Sequence, residues 1–348
     1  MNEVKEVKVK KKKRKIYKTT KLFIVLDLLA ITCFVLVYGP WDYLRNLYVS
    51  TAMRTMEHQY LANVFYSEET IQEVLNSNYI IELNDNTNLD NVVIDTKKKK
   101  EYKDEYEKEL LTREPGNDLY KIINLKVGNS DAYLVAIYDP TKVQLISKEK
   151  LGTDMGERTI TMCQRYGGVV CINGGGFVDH GYGSGIPMGY VIEDGEIRWS
   201  DGDTKTTRGN IVGLTKEGKL LLLTQATGEE ALEKGVVDAL EFGPFLIVNG
   251  KAATVVGDAW GKAPRVAIAQ RKDGVIMFLV VDGENYINGA SLGDLINTLK
   301  MYGAYNAANL DGGQSSTLIV ENKLYNNPPS AAKKTNGRYV ITGFGLIP

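Results

Sequence analysis

The sequence predicts an α+β fold: a mixed sheet rich in β-hairpins with a few packed helices, preceded by a single transmembrane helix and a stalk. Three observations predict it. An apolar run follows a basic block near the N-terminus. Turn dipeptides recur between short apolar stretches, at Asp194-Gly195, Glu217-Gly218, Asn249-Gly250 and Asp273-Gly274, which is the chemistry of hairpin loops. Beyond residue 118, helical signal is confined to 157–166, 228–236 and 291–303. Many hairpins with few helices argue against a doubly wound parallel sheet.

The N-terminal elements follow from charge and hydropathy. The net charge of −1 over 348 residues conceals ten Lys/Arg against Glu3 and Glu6 within residues 1–21, which leaves −9 for the remainder. Residues 22–38 are apolar apart from Asp27, Thr32 and Cys33. At about 1.5 Å per residue such a run just spans a bilayer core. That sequel makes the basic block a cytoplasmic tail instead of a nucleic-acid arm. Tyr38, Trp41 and Tyr43 fall where an aromatic belt would lie, and the positive-inside rule puts all that follows outside the cell. A cleaved signal peptide is the main rival, disfavoured because Gly39-Pro40-Trp41 is a poor cleavage site.

The expected organisation is a cytoplasmic tail at 1–21, a signal-anchor helix at 22–39, a stalk and linker at 40–117, and a folded domain at 118–348. Leu44, Leu47 and Tyr48, then Met53, Met56 and Tyr60, recur at helical spacing and suggest a stalk or self-association helix. Residues 83–118 are charge-rich and read as a linker or mobile arm. In the domain, residues 120–127 and 132–138 read as strands joined at Gly128-Asn129, and Ser291 caps the helix over 291–303. Cys163 and Cys171 are either bonded or two buried thiols. His58 and His180 lack zinc-ligand spacing.

Three apolar runs end in Asn or Asp followed by glycine: Ile172-Asn173-Gly174-Gly175-Gly176-Phe177, Val280-Val281-Asp282-Gly283-Glu284, and Asn309-Leu310-Asp311-Gly312-Gly313-Gln314-Ser315-Ser316-Thr317. Glycine permits close approach at a strand end, so three such turns suggest strand ends converging on one site. With Phe242-Gly-Pro-Phe245, Asn249-Gly250, Pro264-Arg265 and Gly337-Arg338, they follow one another in an order that resembles the phosphodiester glycosidase family over roughly residues 119–348.

The resemblance implies hydrolysis of a sugar–O–phosphoryl bond. That chemistry needs neutralisation of the phosphate, a base or nucleophile at the sugar carbon, and donors to orient the ring. A phosphate leaves readily as an anion, so acid assistance matters less than for ordinary glycosides. The catalytic candidates are Asp282, Asp311, Arg265 and Asn173. Either aspartate would be base or nucleophile, Arg265 the phosphate clamp, and Asn173 an orienting group. Gly174, Gly175, Gly176, Phe177, Gly312, Gly313, Ser315, Ser316 and Arg338 are substrate-binding candidates, the glycine runs as anion nests. Each aspartate can equally form a plain Asx-turn. His180 is a weaker acid candidate and Glu284 a weaker carboxylate.

The expected partners are a phosphate-linked glycan substrate, the bilayer through residues 22–39, no nucleic acid, and a second copy through the stalk. A divalent cation is left open as cofactor, because a metal-assisted phosphodiesterase using Asp282 and Asp311 is one rival reading. A non-catalytic glycan-binding or scaffold module of envelope or exopolysaccharide assembly is the other. A serine hydrolase built on Ser315 lacks the nucleophile-elbow pattern.

Overall fold

The computed structural model describes residues 2–53, 59–153, 155–179, 185–283, 288–329 and 334–348, with side chains from Lys18 onward. Helix α1 (Asn2–Tyr38) contains a segment, Lys18–Tyr38, long and apolar enough to cross a membrane. The leucines, isoleucines and phenylalanines of Lys18–Tyr38 stay exposed. Gly39-Pro40 ends it, since proline disfavours helical geometry in the residue before it, and the Gly39 N–H closes the last turn on Val35 O at 2.9 Å.

The expected stalk is a helical cluster. Helices α2 (Asp42–Met53), α3 (Gln59–Phe65) and α4 (Glu68–Ser77) enclose a small core of Val49, Ala52, Ala62, Ile71 and Val74. Leu44, Tyr48 and Tyr60, expected on a packing stripe, are exposed, and Met56 lies outside the described residues.

Residues 83–118, expected as a linker or mobile arm, are docked on the domain as a strap. Ile80–Ile81 pairs with Thr254–Val255. Thr87 N–H donates to Leu222 O, and Leu222 N–H donates back to the Thr87 hydroxyl, both at 3.0 Å. Val93 and Asp95 donate to Lys272 O and Asp273 O at 2.8 and 2.9 Å. Helix α5 (Glu105–Leu111) buries Leu110 and Leu111 in the main core. Composition misled here because the strap borrows backbone partners from existing strands and needs few apolar anchors of its own.

Every described strand pair is antiparallel, so the expected single mixed sheet is replaced by several antiparallel ones. The central seven-stranded sheet runs, edge to edge, through Lys251–Ala252, Phe245–Val248, Ala304–Leu310, Arg265–Arg271, Ile276–Val281, Ser130–Ile137 and Tyr120–Val127. A second sheet, of five strands, orders Leu220–Ala226, Gly209–Thr215, Val236–Glu241, Val191–Glu193 and Glu196–Trp199. The third, also of five, orders Lys323–Leu324, Leu318–Val320, Val170–Asn173, Thr342–Leu346 and Val143–Ser147. The main core joins all three, with Phe278 and Leu279 from the first, Val212 and Leu222 from the second, and Ile172 and Phe344 from the third. Arg265–Arg271 and Ile276–Val281 are buried at every position, so the apolar runs at 266–269 and 276–281 reflect cover on both faces.

Helices α6 (Thr159–Arg165), α7 (Gly228–Glu233) and α8 (Leu292–Met301) fall within the three helical signals. The Ser291 hydroxyl accepts from Asp294 N–H at 3.1 Å while Asp294 Oδ2 accepts from Ser291 N–H at 2.9 Å, a reciprocal cap. Cys163 and Cys171 are bonded, tying α6 to the strand Val170–Asn173.

Candidate active site

The site lies where the first and third sheets meet. Strand Ala304–Leu310 runs out beside the end of Val170–Asn173, and Asp311 N–H donates to Gly174 O at 2.8 Å. Asn173 is fully buried and clamps the turn at 311–317 from both sides. Its Nδ2 donates to Asp311 O at 2.7 Å, and its Oδ1 accepts from Thr317 N–H at 3.0 Å. Expected to orient substrate, this amide spends its polar atoms on the backbone that carries Asp311.

The glycines serve close packing. Gly174 lies against Leu240 and Gly343, and its N–H donates to Thr342 O; Gly175 N–H donates to Thr342 Oγ1, both at 2.9 Å. Two of the three amides expected to form an anion nest are therefore committed to the protein. A Cβ on Gly312 would sit 2.6 Å from Pro264 O, the same carbonyl that accepts from Gly313 N–H at 2.8 Å. The turn can press on strand Arg265–Arg271 only without side chains at that point.

Asp311 is half-buried, and the Ser315 side chain hydrogen-bonds to its carboxylate. Burial pushes its pKa up to about 6; the Ser315 bond and the Arg338 charge pull it down, and the Asp179 charge pushes it up again. Arg338 reaches this corner from the loop before the strand Tyr339–Val340. It pairs with Asp179 at 2.7 Å and lies over the Phe177 ring, 5.1 Å from its centroid. Phe177 itself is buried in a small cluster with Ile319 and Val340. Ser316 is buried, and its hydroxyl meets no hydrogen-bond partner among the described residues.

The two other charged candidates stand behind the turn. Arg265 donates through Nε to Ala290 O at 3.1 Å and through Nη2 to Trp260 O and Gly261 O at 2.7 and 3.0 Å. Its guanidinium braces two loops, which leaves the expected phosphate clamp without support from this geometry. Asp282 is buried and takes hydrogen bonds from Tyr133 Oη at 3.0 Å, Asn326 Nδ2 at 2.9 Å, and Asn327 N–H at 3.0 and 2.9 Å on its two oxygens. Asn326 also donates to Ser316 O and accepts from Leu318 N–H, so Asp282 buttresses the turn that carries Asp311. Arg265 pairs with Val281 and Val266 with Leu310. Two strand spacings therefore separate the aspartate backbones, about 10 Å.

Sequence reasoning missed Asp179, Thr317, Asn309 and the Asp282 partners Tyr133 and Asn326. Asp179 opens a glycine-rich loop and Tyr133 is a half-buried position within the apolar strand Ser130–Ile137, so neither carried a local signal. Asn309 is buried two residues before Asp311, and its Nδ2 donates to Gly243 O, beside the cis Gly243-Pro244 bond, at 3.1 Å. His180 and Glu284 lie outside the described residues. Among those residues, no group of three or more His, Cys, Asp or Glu is placed to hold a metal ion.

Three comparisons bear on this geometry. The phosphodiester glycosidase family profile matches residues 166–347, which contain every charged and glycine candidate above. The SPbeta prophage-derived uncharacterized protein YomE of Bacillus subtilis is 30% identical over 184 residues; the match covers 51% of this chain and 28% of that protein's length. The catalytic domain of zebrafish N-acetylglucosamine-1-phosphodiester alpha-N-acetylglucosaminidase, in a form auto-inhibited by its pro-peptide, superposes with a TM-score of 0.54. The identity there is 20%, over 66% of this chain and 82% of that one. A hypothetical protein from Synechocystis matches less closely, at 18% identity and a TM-score of 0.45 over 65% and 61% of the two chains. A turn built on Asn-Leu-Asp-Gly-Gly, its asparagine clamp and a profile spanning the whole site converge on one conclusion: the chain belongs to the phosphodiester glycosidase family.

Proposed function

We propose that this chain is a membrane-anchored hydrolase that cleaves a glycosyl phosphodiester, or a related phosphate-linked glycan, at the outer face of the cell envelope. The observation that carries this reading is Asp311, a desolvated carboxyl with a pKa of about 6, set beside the Arg338 cation. Arg338 neutralises the phosphoryl oxygens. The Asp311 carboxylate takes the proton of a water that attacks the anomeric carbon. The C–O bond breaks with its electron pair going to the phosphate, which departs as a monoester. Because that leaving group is already a stable anion, one carboxylate base suffices, and Asp282 is free to act as a buttress. The aromatic face of Phe177 is covered by Arg338, so the ring fixes the guanidinium and leaves sugar stacking to other groups.

Support for the anchor comes from α1, whose apolar side chains face outward behind a basic segment. The bonded pair Cys163–Cys171 suits an oxidising compartment. An N-acetylglucosamine-1-phosphodiester, the substrate class in the zebrafish enzyme's name, is the first probe to try. Hydrolysis in ¹⁸O-labelled water tests the reading. Unlabelled phosphate monoester supports C–O cleavage. Label in the phosphate supports attack at phosphorus and overturns the glycosidase. Binding without turnover across a panel of phosphodiester glycans would support a scaffold instead.

A further inference from the structure

The helical cluster above α1 turns an apolar face outward at the same height as the end of the apolar segment. Tyr66, just after α3, donates its hydroxyl to Val37 O at 2.9 Å, and its ring lies 6.3 Å from that of Tyr38. The last turn of α3 therefore sits beside the last turn of α1. From the other side, Tyr48 of α2 donates to Leu61 O at 3.2 Å and packs edge-on against Phe65 at 6.2 Å. Ring contacts run without a break from Phe34 through Tyr38, Tyr66 and Tyr48 to Phe65. The cluster buries its own small core, yet Val64 is 67% exposed, Tyr43 56%, Trp41 48%, Leu44 43% and Phe65 38%. Among the described residues, one ion pair lies beside this patch, Asp42 with Arg45 at 3.1 Å, and it joins neighbouring side chains of opposite sign.

We propose that α2 and α3 form an interfacial foot, embedded through Trp41, Tyr43, Leu44, Val64 and Phe65 in the outer-leaflet headgroup region of the membrane that α1 crosses. This rests on the membrane-anchor reading above. The chemistry fits that one occupant: amphipathic Trp and Tyr rings favour the boundary between headgroups and acyl chains, and the aliphatic side chains beside them gain by leaving water. The patch is also continuous with the apolar surface of α1, so no separate partner is needed to cover it.

The foot also sets where the site works. Asn78, at the end of α4, accepts from Asp258 N–H at 2.7 Å, and Thr51 of α2 lies against Gly261, whose carbonyl Arg265 holds. The domain is clamped to the foot through these contacts, so its site stays close to the bilayer surface.

The test uses the full chain in a Cys33→Ser background, reconstituted into vesicles of phosphatidylcholine and phosphatidylglycerol. Nitroxide labels go at Val64→Cys, at Leu29→Cys within the apolar segment, and at Lys216→Cys on an exposed hairpin of the domain. Collision with oxygen and with a water-soluble nickel chelate is then measured. The proposal expects an oxygen-to-nickel ratio at position 64 several-fold above that at 216 and below that at 29. A ratio at 64 equal to that at 216 overturns it, because the patch then faces water. Low collision with both reagents, together with spin–spin broadening, also overturns it and assigns the patch to a second copy of the chain. A water-like ratio at 29 sinks the anchor reading itself, and the foot with it.

Discussion

Two acidic turns in this protein look alike on paper and differ in the fold. Val281-Asp282-Gly283 and Leu310-Asp311-Gly312 each end an apolar strand of the same sheet, on either side of strand Arg265–Arg271. Asp282 receives four hydrogen bonds shared between its two oxygens, and its arginine neighbour Arg265 donates to three carbonyls. Asp311 has the Ser315 side chain and the Gly312 N–H as donors, a nearby Arg338 and the like charge of Asp179. Burial raises the pKa of both carboxyls, Asp311 to about 6; the donor-rich Asp282 holds backbone in place, while Asp311 keeps a cation beside it and fewer donors on its oxygens. Partner supply, which no local motif encodes, separates the two.

That difference can be broken by substitution. Asp311→Asn should have the largest effect, lowering kcat/KM by about 10³-fold or more, because the base is gone while the shape remains. Its sign on stability is the sharper readout. A carboxyl whose folded pKa lies above its unfolded value holds its proton more tightly when folded. Folding then loses stability as pH rises from about 4 to about 6, and the deficit persists at neutral pH. Asp311→Asn should remove about 1–2 kcal/mol of that penalty after screening, so thermal melting at pH 7 should show Tm unchanged or a few degrees higher. A fall in Tm with activity retained would make Asp311 the buttress.

Arg338→Met should lower kcat/KM by about 10²–10³-fold, as expected for loss of a cation facing developing phosphate charge. It should also move the Asp311 titration upward, since the Arg338 charge pulls that pKa down. Arg265→Met leaves Trp260 O, Gly261 O and Ala290 O without their donor. It should cost about 3 kcal/mol of stability, read as a drop in Tm. A rise in KM at unchanged Tm would restore Arg265 as the phosphate clamp. Asp282→Asn should be the mildest in turnover. It sets an amide donor against Asn326 Nδ2 and Asn327 N–H, so Tm should fall by about 4–8 °C. Well below that Tm, kcat/KM should stay within about tenfold of wild type, since no transition-state contact is removed.

The sequence made the fold class and much of the site legible for identifiable reasons. Hairpin turns, strand alternation and the Ser291 cap are local signals, and they placed strands Tyr120–Val127 and Ser130–Ile137 and helix α8 closely. The convergence of Asn173 and Asp311 was legible because both end apolar runs in glycine. The hydrogen-bond partners of Asn173 and Arg265 were not, because whether a buried amide or guanidinium faces backbone or a cavity depends on loops far along the chain. The strap over 83–118 was missed for a related reason: its partners, Leu222, Lys272 and Asp273, belong to other strands.

The most direct test of the account is the pH dependence of kcat/KM for a glycosyl phosphodiester between pH 4.5 and 8, measured on the wild-type chain and on Asp311→Asn. A phosphodiester does not titrate in that range, so any inflection belongs to the enzyme. The account predicts activity that rises with pH through a single inflection near the Asp311 pKa of about 6, and a residual rate in Asp311→Asn without that inflection. An inflection that survives in Asp311→Asn, or a flat wild-type profile, would contradict it.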